Sequence, residues 1–256
     1  MKLTNTYPSL NDKVVFISGG ATGIGANLVE AFSRQQSRVV FVDIQDDEAE
    51  KLCSQIGAIE GANMPQYFHC DLFDIDSLQQ VISKTGEEIG AISVLVNNAA
   101  SDMRHDFREV TVDYWNERIN INLRHAFFAI QSVYMQMKEL GGGSIINFGS
   151  MSWYEGQPNM TGYTTAKAGI EGLTRGMARD LGEDNIRINT LVPGWVMTQR
   201  QLRDWVDDDT AREINKNQCL KNNLIPEDIS ALALFLASDD SKMCTSQSYI
   251  VDGGWI

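Results

Sequence analysis

Tyr163 and Lys167 stand four residues apart in Y-T-T-A-K, and Ser150 precedes them at the end of S-I-I-N-F-G-S. A phenol beside a fixed cation and facing a hydroxyl can take a proton from an alcohol. The energetics suit the task. A lysine ammonium about 4 Å from a phenolate, at an effective dielectric of about 20, contributes roughly 4 kcal/mol. That is at most enough to bring a phenol from its ordinary ~10 to near ~7. The expectation is a tyrosine that works as general acid or base near neutral pH.

The flanking segments must position these groups. S-I-I-N-F reads as a buried strand ending in small polar residues. The following A-K-A-G-I-E-G-L-T-R-G-M-A-R-D-L places Ile170, Leu173, Met177 and Leu181 at helical spacing, so Tyr163 and Lys167 lie one turn apart on one face. A second signal is S-G-G-A-T-G-I-G at 18–25, between the apolar K-V-V-F-I-S and the amphipathic A-N-L-V-E-A-F-S-R. A strand, a glycine loop and a helix in that order make a dinucleotide fingerprint rather than a plain flexible turn. Gly19 permits the turn, Gly23 lets backbone approach a pyrophosphate, and Gly25 lets helix and strand pack closely. The phosphates would sit at the helix N-terminus, where free N–H groups favour anions. The next strand, S-R-V-V-F-V-D, ends in Asp43, near the interval of about 20 residues expected for a ribose-binding acid. A carboxylate there accepts from both ribose hydroxyls and repels a 2′-phosphate. No Arg or Lys lies between Gly19 and Gly25 or directly after Asp43. NAD is therefore expected over NADP, although the acid could simply end the strand.

Over essentially its whole length the chain resembles the short-chain dehydrogenase/reductase family. The matches arrive in the family's order. Asp71 and Leu72 of H-C-D-L stand where the family contacts adenine, and N-N-A-A at 97–100 looks like its N-N-A-G. Asn122 in I-N-I-N-L matches the asparagine of the family's Asn-Ser-Tyr-Lys tetrad, P-G at 193–194 with Thr198 resembles its nicotinamide-side loop, and V-D-G-G closes the last strand. The resemblance implies catalytic roles for Asn122, Ser150, Tyr163 and Lys167, with Asn122 positioning a relay water. It also implies cofactor contacts from Gly19, Thr22, Gly23, Ile24, Gly25, Asp43, Asp71, Leu72, Asn98, Ala99, Tyr163, Lys167, Pro193, Gly194, Val196 and Thr198. Ser18, Ala100 and Gly149 depart from the usual residues; Ala100 bears only on backbone approach at its turn.

Short β-branched strands alternate with amphipathic helices, which predicts an α/β fold: one doubly wound Rossmann-type domain spanning 1–256, with a seven-stranded parallel sheet between helices on both faces. The strands are read near 13–18, 38–43, 66–70, 92–96, 143–148, 186–192 and 248–252. The connection of 193–225 is too long for a turn and is expected to form a substrate lid.

The loops beside the tetrad carry the substrate signal. S-D-M-R-H brings Asp102, Arg104 and His105 near the nicotinamide end. M-S-W-Y-E-G-Q-P-N-M adds Ser152, Trp153, Glu155, Gln157 and Asn159, and the P-G loop adds Trp195 and Gln199. Steroid or acyl pockets want aliphatic walls, whereas amides, charges and indoles suit a sugar. Arg104 could instead pair with Asp102 or Asp106, and Trp205 could be structural. S-D-M-R-H, Y-W-N-E-R-I-N-I-N-L-R-H-A-F-F and I-N-F-G-S-M-S-W resemble the sugar 1-dehydrogenases of the family, the bacterial NAD-dependent D-xylose and galactose type. That implies oxidation of a cyclic aldose at C1 to an aldonolactone, with Asp102, Arg104, His105, Ser150, Ser152, Trp153, Asn159, Tyr163, Trp195 and Gln199 toward the substrate. A secondary alcohol on a sugar acid, polyol or cyclic alcohol is the alternative.

A net charge of −13 argues against nucleic-acid and anionic-membrane partners. Cys53, Cys70, Cys219 and Cys244 lack C-x-x-C spacing, His69, His105 and His125 form no ligand pattern, and no run approaches spanning length. A cytoplasmic, metal-free protein is expected. Gly169, Gly172 and Gly176 on the Tyr163 helix would allow close helix approach, and the family usually pairs such helices. With the apolar W-I end as a possible second contact, a homotetramer is expected.

Overall fold

The computed structural model describes residues 5–256. Seven parallel strands run β1 (Val14–Ser18), β2 (Arg38–Asp43), β3 (Gln66–His69), β4 (Ile92–Asn97), β5 (Gly143–Phe148), β6 (Ile186–Pro193) and β7 (Ser248–Val251), in the order β3-β2-β1-β4-β5-β6-β7. The central strands are buried on both faces, which explains why V-V-F-I-S and I-S-V-L-V-N are continuous apolar runs rather than alternating ones. The edge strands β3 and β7 are half-exposed.

Helices cover both faces. On one, Leu28 and Phe32 of α1 (Gly23–Arg34), Leu52 and Ile56 of α2 (Asp46–Gly57) and, from the helix Pro226–Ala237 near the end of the chain, Ile229 and Leu234 share a core with Val15, Ile17 and Phe41. On the other, Leu78 and Ile82 of α3 (Ile75–Glu88), Ile130 and Val133 of the helix His125–Glu139, and Leu181 of the helix Thr161–Leu181 pack on Phe16, Leu95 and Ile145. Completing the chain in order, α4 is Val112–Ile119, α5 His125–Glu139, α6 Met151–Tyr154, α7 Thr161–Leu181, α8 Gln199–Asp204, α9 Asp208–Asn217 and α10 Pro226–Ala237.

Strand order reverses between β1 and β4, so the loops leaving their C-terminal ends diverge and open a crevice. A buried polar chain holds α7 over it. Asn97 donates to Asn147 at 2.9 Å, Asn147 donates to Thr174 at 3.0 Å, and Thr190 donates to Thr174 at 2.8 Å. Thr174 lies two turns beyond Lys167 on α7, so three strands fix the height of that helix above the sheet.

Candidate active site

The crevice is a cleft of about 1340 Å³ reaching from the glycine turn after β1 to the segment after β6. Every residue assigned above to the cofactor lines it. The turn after β1 leaves no room for side chains at Gly19 and Gly25. A Cβ on Gly25 would fall 1.8 Å from the Gly19 carbonyl oxygen, and Gly19 has φ +69° with its own Cβ position 2.8 Å from Ala99 Cα. Asn98 staples this turn to the one after β4 by donating to the carbonyls of Ser18 (3.1 Å) and Gly19 (2.8 Å). Thr22, at the N-cap of α1, makes no side-chain capping bond, so the first turn presents its N–H groups and dipole to the cleft. That donor set fits a pyrophosphate.

Asp43 ends β2 at the cleft wall. One carboxylate oxygen accepts from Ala21 N at 2.9 Å, and the other from Ile44 N at 2.8 Å and Gln45 N at 3.1 Å. The carboxylate is thus held rigidly at the cleft wall. Asp46, Asp47 and Glu48 open α2 beside it, and Lys51, which also lines the cleft, pairs with Glu48 at 3.6 Å. This wall is predominantly acidic.

At the far end Ser150, Tyr163 and Lys167 come together. Ser150 lies at the N-cap of α6, where its hydroxyl accepts from Ser152 N at 3.2 Å and donates to Ser152 Oγ at 3.0 Å. Lys167 is buried and donates to the Phe148 carbonyl at 2.7 Å, with its ammonium 5.6 Å from the Tyr163 ring centre. The electrostatics correct the expectation from spacing. Burial pushes the Tyr163 phenol up to about 12, and hydrogen bonding with Ser150 offsets only part of that. Burial also brings Lys167 down to about 8. Desolvation is the largest influence on both groups, and the Lys167 ammonium is hydrogen-bonded to the Phe148 carbonyl.

Asn122 lies in a π-helical segment, Asn120–Arg124, and is fully buried. Its amide donates to the carbonyls of Ser101 (3.1 Å) and Arg118 (2.9 Å), and its oxygen accepts from Ser101 N at 2.8 Å. The side chain does not line the cleft. It locks the loop after β4 in place, with both amide protons committed to backbone carbonyls.

The substrate side divides. Asp102, Arg104, Ser152, Trp195 and Gln199 line the cleft with Ser150 and Tyr163; His105, Trp153 and Asn159 do not. The Trp153 indole donates to Glu171 at 2.9 Å and stacks against Tyr154, on the far side of α7. His105 meets the Tyr114 hydroxyl at 3.1 Å, and its backbone N donates to the Asn159 carbonyl at 2.6 Å, so this pair ties two loops together behind the wall. Arg104 lies over the Trp205 ring at 4.3 Å rather than on Asp102 or Asp106. Trp195 stacks on Trp255 at 6.4 Å, whereas Ile256 beside it stays exposed.

Sequence reasoning missed Arg118, Arg200 and Gln201, all lining the cleft. Arg118 donates to Ser101 Oγ at 2.9 Å and pairs with Glu117. Arg200 and Gln201 reach Asp102 at 2.6 and 3.1 Å. Arg118 sits in a helix whose other polar residues are mostly exposed, and Arg200 meets its partner 98 residues away, so no local pattern marks either. All four cysteines are free, and the described residues hold no His/Cys/Asp/Glu cluster suited to a metal. No helix among them is long and apolar enough to cross a membrane.

Comparison with known proteins agrees with this geometry. A family model described as enoyl-(acyl carrier protein) reductase matches residues 19–256. D-xylose 1-dehydrogenase of Caulobacter vibrioides is 47% identical, over 97% of this chain and 98% of that protein. The probable galactose dehydrogenase of Rhizobium meliloti is 42% identical over 98% of each. Among solved structures, a candidate NAD(P)-dependent gluconate 5-dehydrogenase of Beutenbergia cavernae, with NADP bound at low occupancy, superposes with a TM-score of 0.89 at 29% identity, covering 96% of this chain and 98% of that one. With a sheet reversing beside a glycine turn and a serine, tyrosine and lysine meeting at its open end, the chain belongs to the short-chain dehydrogenase/reductase family.

Proposed function

We propose that this enzyme oxidises a cyclic aldose, pentose or hexose, at C1 to its aldonolactone with NAD. The observation that carries the reading is the wall facing Tyr163. It is polar, it includes the Trp195 indole, and its arginines already have partners: Arg118 with Glu117, Arg200 with Asp102, Arg203 with Asp204 and Arg104 over Trp205. Such a wall offers hydroxyl-sized contacts, and three of its four arginines are already matched by carboxylates. The two sugar dehydrogenases at 47% and 42% identity support the same substrate class.

In this reading Ser150 holds the anomeric hydroxyl toward Tyr163, which removes its proton. The O–H bond breaks, the C1–H bond is lost, and the C1–O bond becomes a carbonyl. NAD, when bound, accepts the hydride from C1. Lys167 and the α1 N-terminus hold that cofactor by its ribose and pyrophosphate, and Asp43 holds the adenosine ribose. The segment 193–225, with α8 and α9, serves as lid within a single 1–256 domain. The free thiols suit a reducing cytoplasm.

Gly172 and Gly176 face open space on α7, whereas Gly169 packs within the subunit, a Cβ there lying 3.0 Å from Leu123. The open pair supports helix pairing between copies and the homotetramer. Oxidation of a sugar acid or polyol at a secondary carbon remains the second reading, favoured by the likeness to the gluconate 5-dehydrogenase candidate. A panel of aldoses, polyols and sugar acids, assayed with NAD and NADP for reduced nicotinamide and product identity, tests both. A lactone as first product supports oxidation at C1; a ketose or keto-acid overturns it.

A further inference from the structure

Asp102 and Arg200 meet across the cleft at 2.6 Å, and Gln201 takes the second Asp102 oxygen at 3.1 Å. Asp102 belongs to the loop after β4, and Arg200 and Gln201 to the first turn of α8. All three line the same cavity as Tyr163. The segment carrying Arg200 is lightly anchored. Helix α8 buries no residue fully and α9 only Ile214, so polar contacts to Asp102 and the Arg104–Trp205 stack contribute much of its hold. A segment held this way opens at low cost in free energy.

Resting on the alcohol oxidation proposed above, we propose that Arg200 is a positioning residue carried by the lid, which enables the Tyr163 base. Closure lays its guanidinium on Asp102 and neutralises an anion that otherwise favours the protonated phenol. Both oxygens of Asp102 are then engaged by the lid, so its part in catalysis is exerted through Arg200 rather than on a sugar hydroxyl.

The charges around the phenol bear this out. Lys167 comes from its own helix but is held by Phe148. Arg118 packs along Gly162 from α4, and Glu155 and Arg104 line the outer wall. After burial and Ser150, the charges acting on Tyr163 are Asp102, which raises its pKa, and Arg200, which lowers it. Asp102 also supports the Lys167 ammonium. Arg200 is partly exposed, with 46% of its side chain accessible, so solvent screens the effect and keeps it modest.

The test uses R200Q, R200K and the double variant D102N/R200Q. One readout is the pH dependence of kcat/KM on whichever alcohol the enzyme oxidises. The other is tyrosinate absorbance in protein without cofactor or sugar, with Y163F as blank. For R200Q the half-maximal rate should move to higher pH, with about three- to tenfold lower kcat/KM at neutral pH, as expected for one screened charge nearby. R200K should stay near the parent, and D102N/R200Q should return toward it. The Tyr163 titration should follow the same order. A raised KM for R200Q with an unmoved pH midpoint and phenol titration would overturn the proposal. So would a double variant as slow as R200Q, which would make the pair a mechanical clasp. Because the titration contains no sugar, its outcome is independent of whether aldoses are the substrates.

Discussion

Lys167 donates to the Phe148 carbonyl at 2.7 Å, and that bond keeps its ammonium 5.6 Å from the centre of the Tyr163 ring. The cation is buried and brought down to about 8 from its ordinary 10.5. Between these values the unfolded chain binds the proton that the folded one has released, so stability from this group rises with pH across that window. The rise is roughly 3 kcal/mol. Tyr163, raised to about 12, works oppositely above pH 10, and the Cys53 and Cys70 thiols, raised from 9.0 by burial, do so from lower pH. The difference between parent and K167M in denaturant titrations from pH 7.5 to 10 therefore isolates the lysine. K167M should lack the rise. Parallel pH curves for the parent and K167M would show that the ammonium is not desolvated.

Tyr163→Phe keeps the ring packed and deletes the base. We expect kcat to fall by ~10²–10⁴ while NAD affinity, followed by nucleotide-induced fluorescence change, stays close to the parent. Substantial turnover by this variant would assign the proton transfer elsewhere.

Asp43→Ser removes an acceptor that three backbone N–H groups hold in place at the cleft wall. Loss of hydrogen bonds to a charged group should narrow the NAD-over-NADP preference in kcat/KM by about ten- to a hundredfold. Steady-state rates with each cofactor decide it, and equal use of both by the parent would remove Asp43 from that role.

His125 is fully buried beside Lys167, and neither ring nitrogen closes a hydrogen bond. The carbonyls of Ala99 and Ile121 pull its pKa up weakly, but burial and then Lys167 drive it down to about 4. Its folded value lies below the ordinary 6.5, so the stability of the neutral ring is fully present above pH 6.5 and is lost as pH falls toward 4. H125Q should flatten the acid limb of a thermal-melting profile by roughly 3 kcal/mol; an unchanged limb would point to other groups.

Gly172 and Gly176 leave α7 open to close approach by a second copy. Light scattering at micromolar concentration should give four chain masses for the parent and less for G172L. A monomeric parent would reject the assembly.

The parts of the site written in local spacing were legible from sequence. Strand, glycine turn and helix around Gly19–Gly25 follow from neighbours along the chain, as does the one-turn offset of Tyr163 and Lys167. What could not be read was direction. Trp153 stands in a polar loop beside Ser150, yet Glu171 on α7 offers its indole a carboxylate at 2.9 Å and turns it away from the cleft. Arg200 reaches Asp102 from 98 residues away, a pairing that only the closed fold creates. The tyrosine–lysine attraction was legible as a spacing, but its outcome depended on burial and on a carbonyl 19 residues upstream.

The strand order has a consequence for how activity arises. The nucleotide-gripping turn and Asp43 come from β1 and β2, whereas Ser150, Tyr163 and Lys167 come from β5 and α7, across the join where β4 docks beside β1. During synthesis the first half of the sheet emerges with an unfilled flank along β1, exposing a long apolar edge until β4 arrives. Pairings this distant in sequence form late, because the intervening loop must be closed before they are rewarded. Because Asn98 after β4 staples the glycine turn, that turn reaches its final form only once this join is made. Turnover therefore reports that the two halves of the sheet have docked.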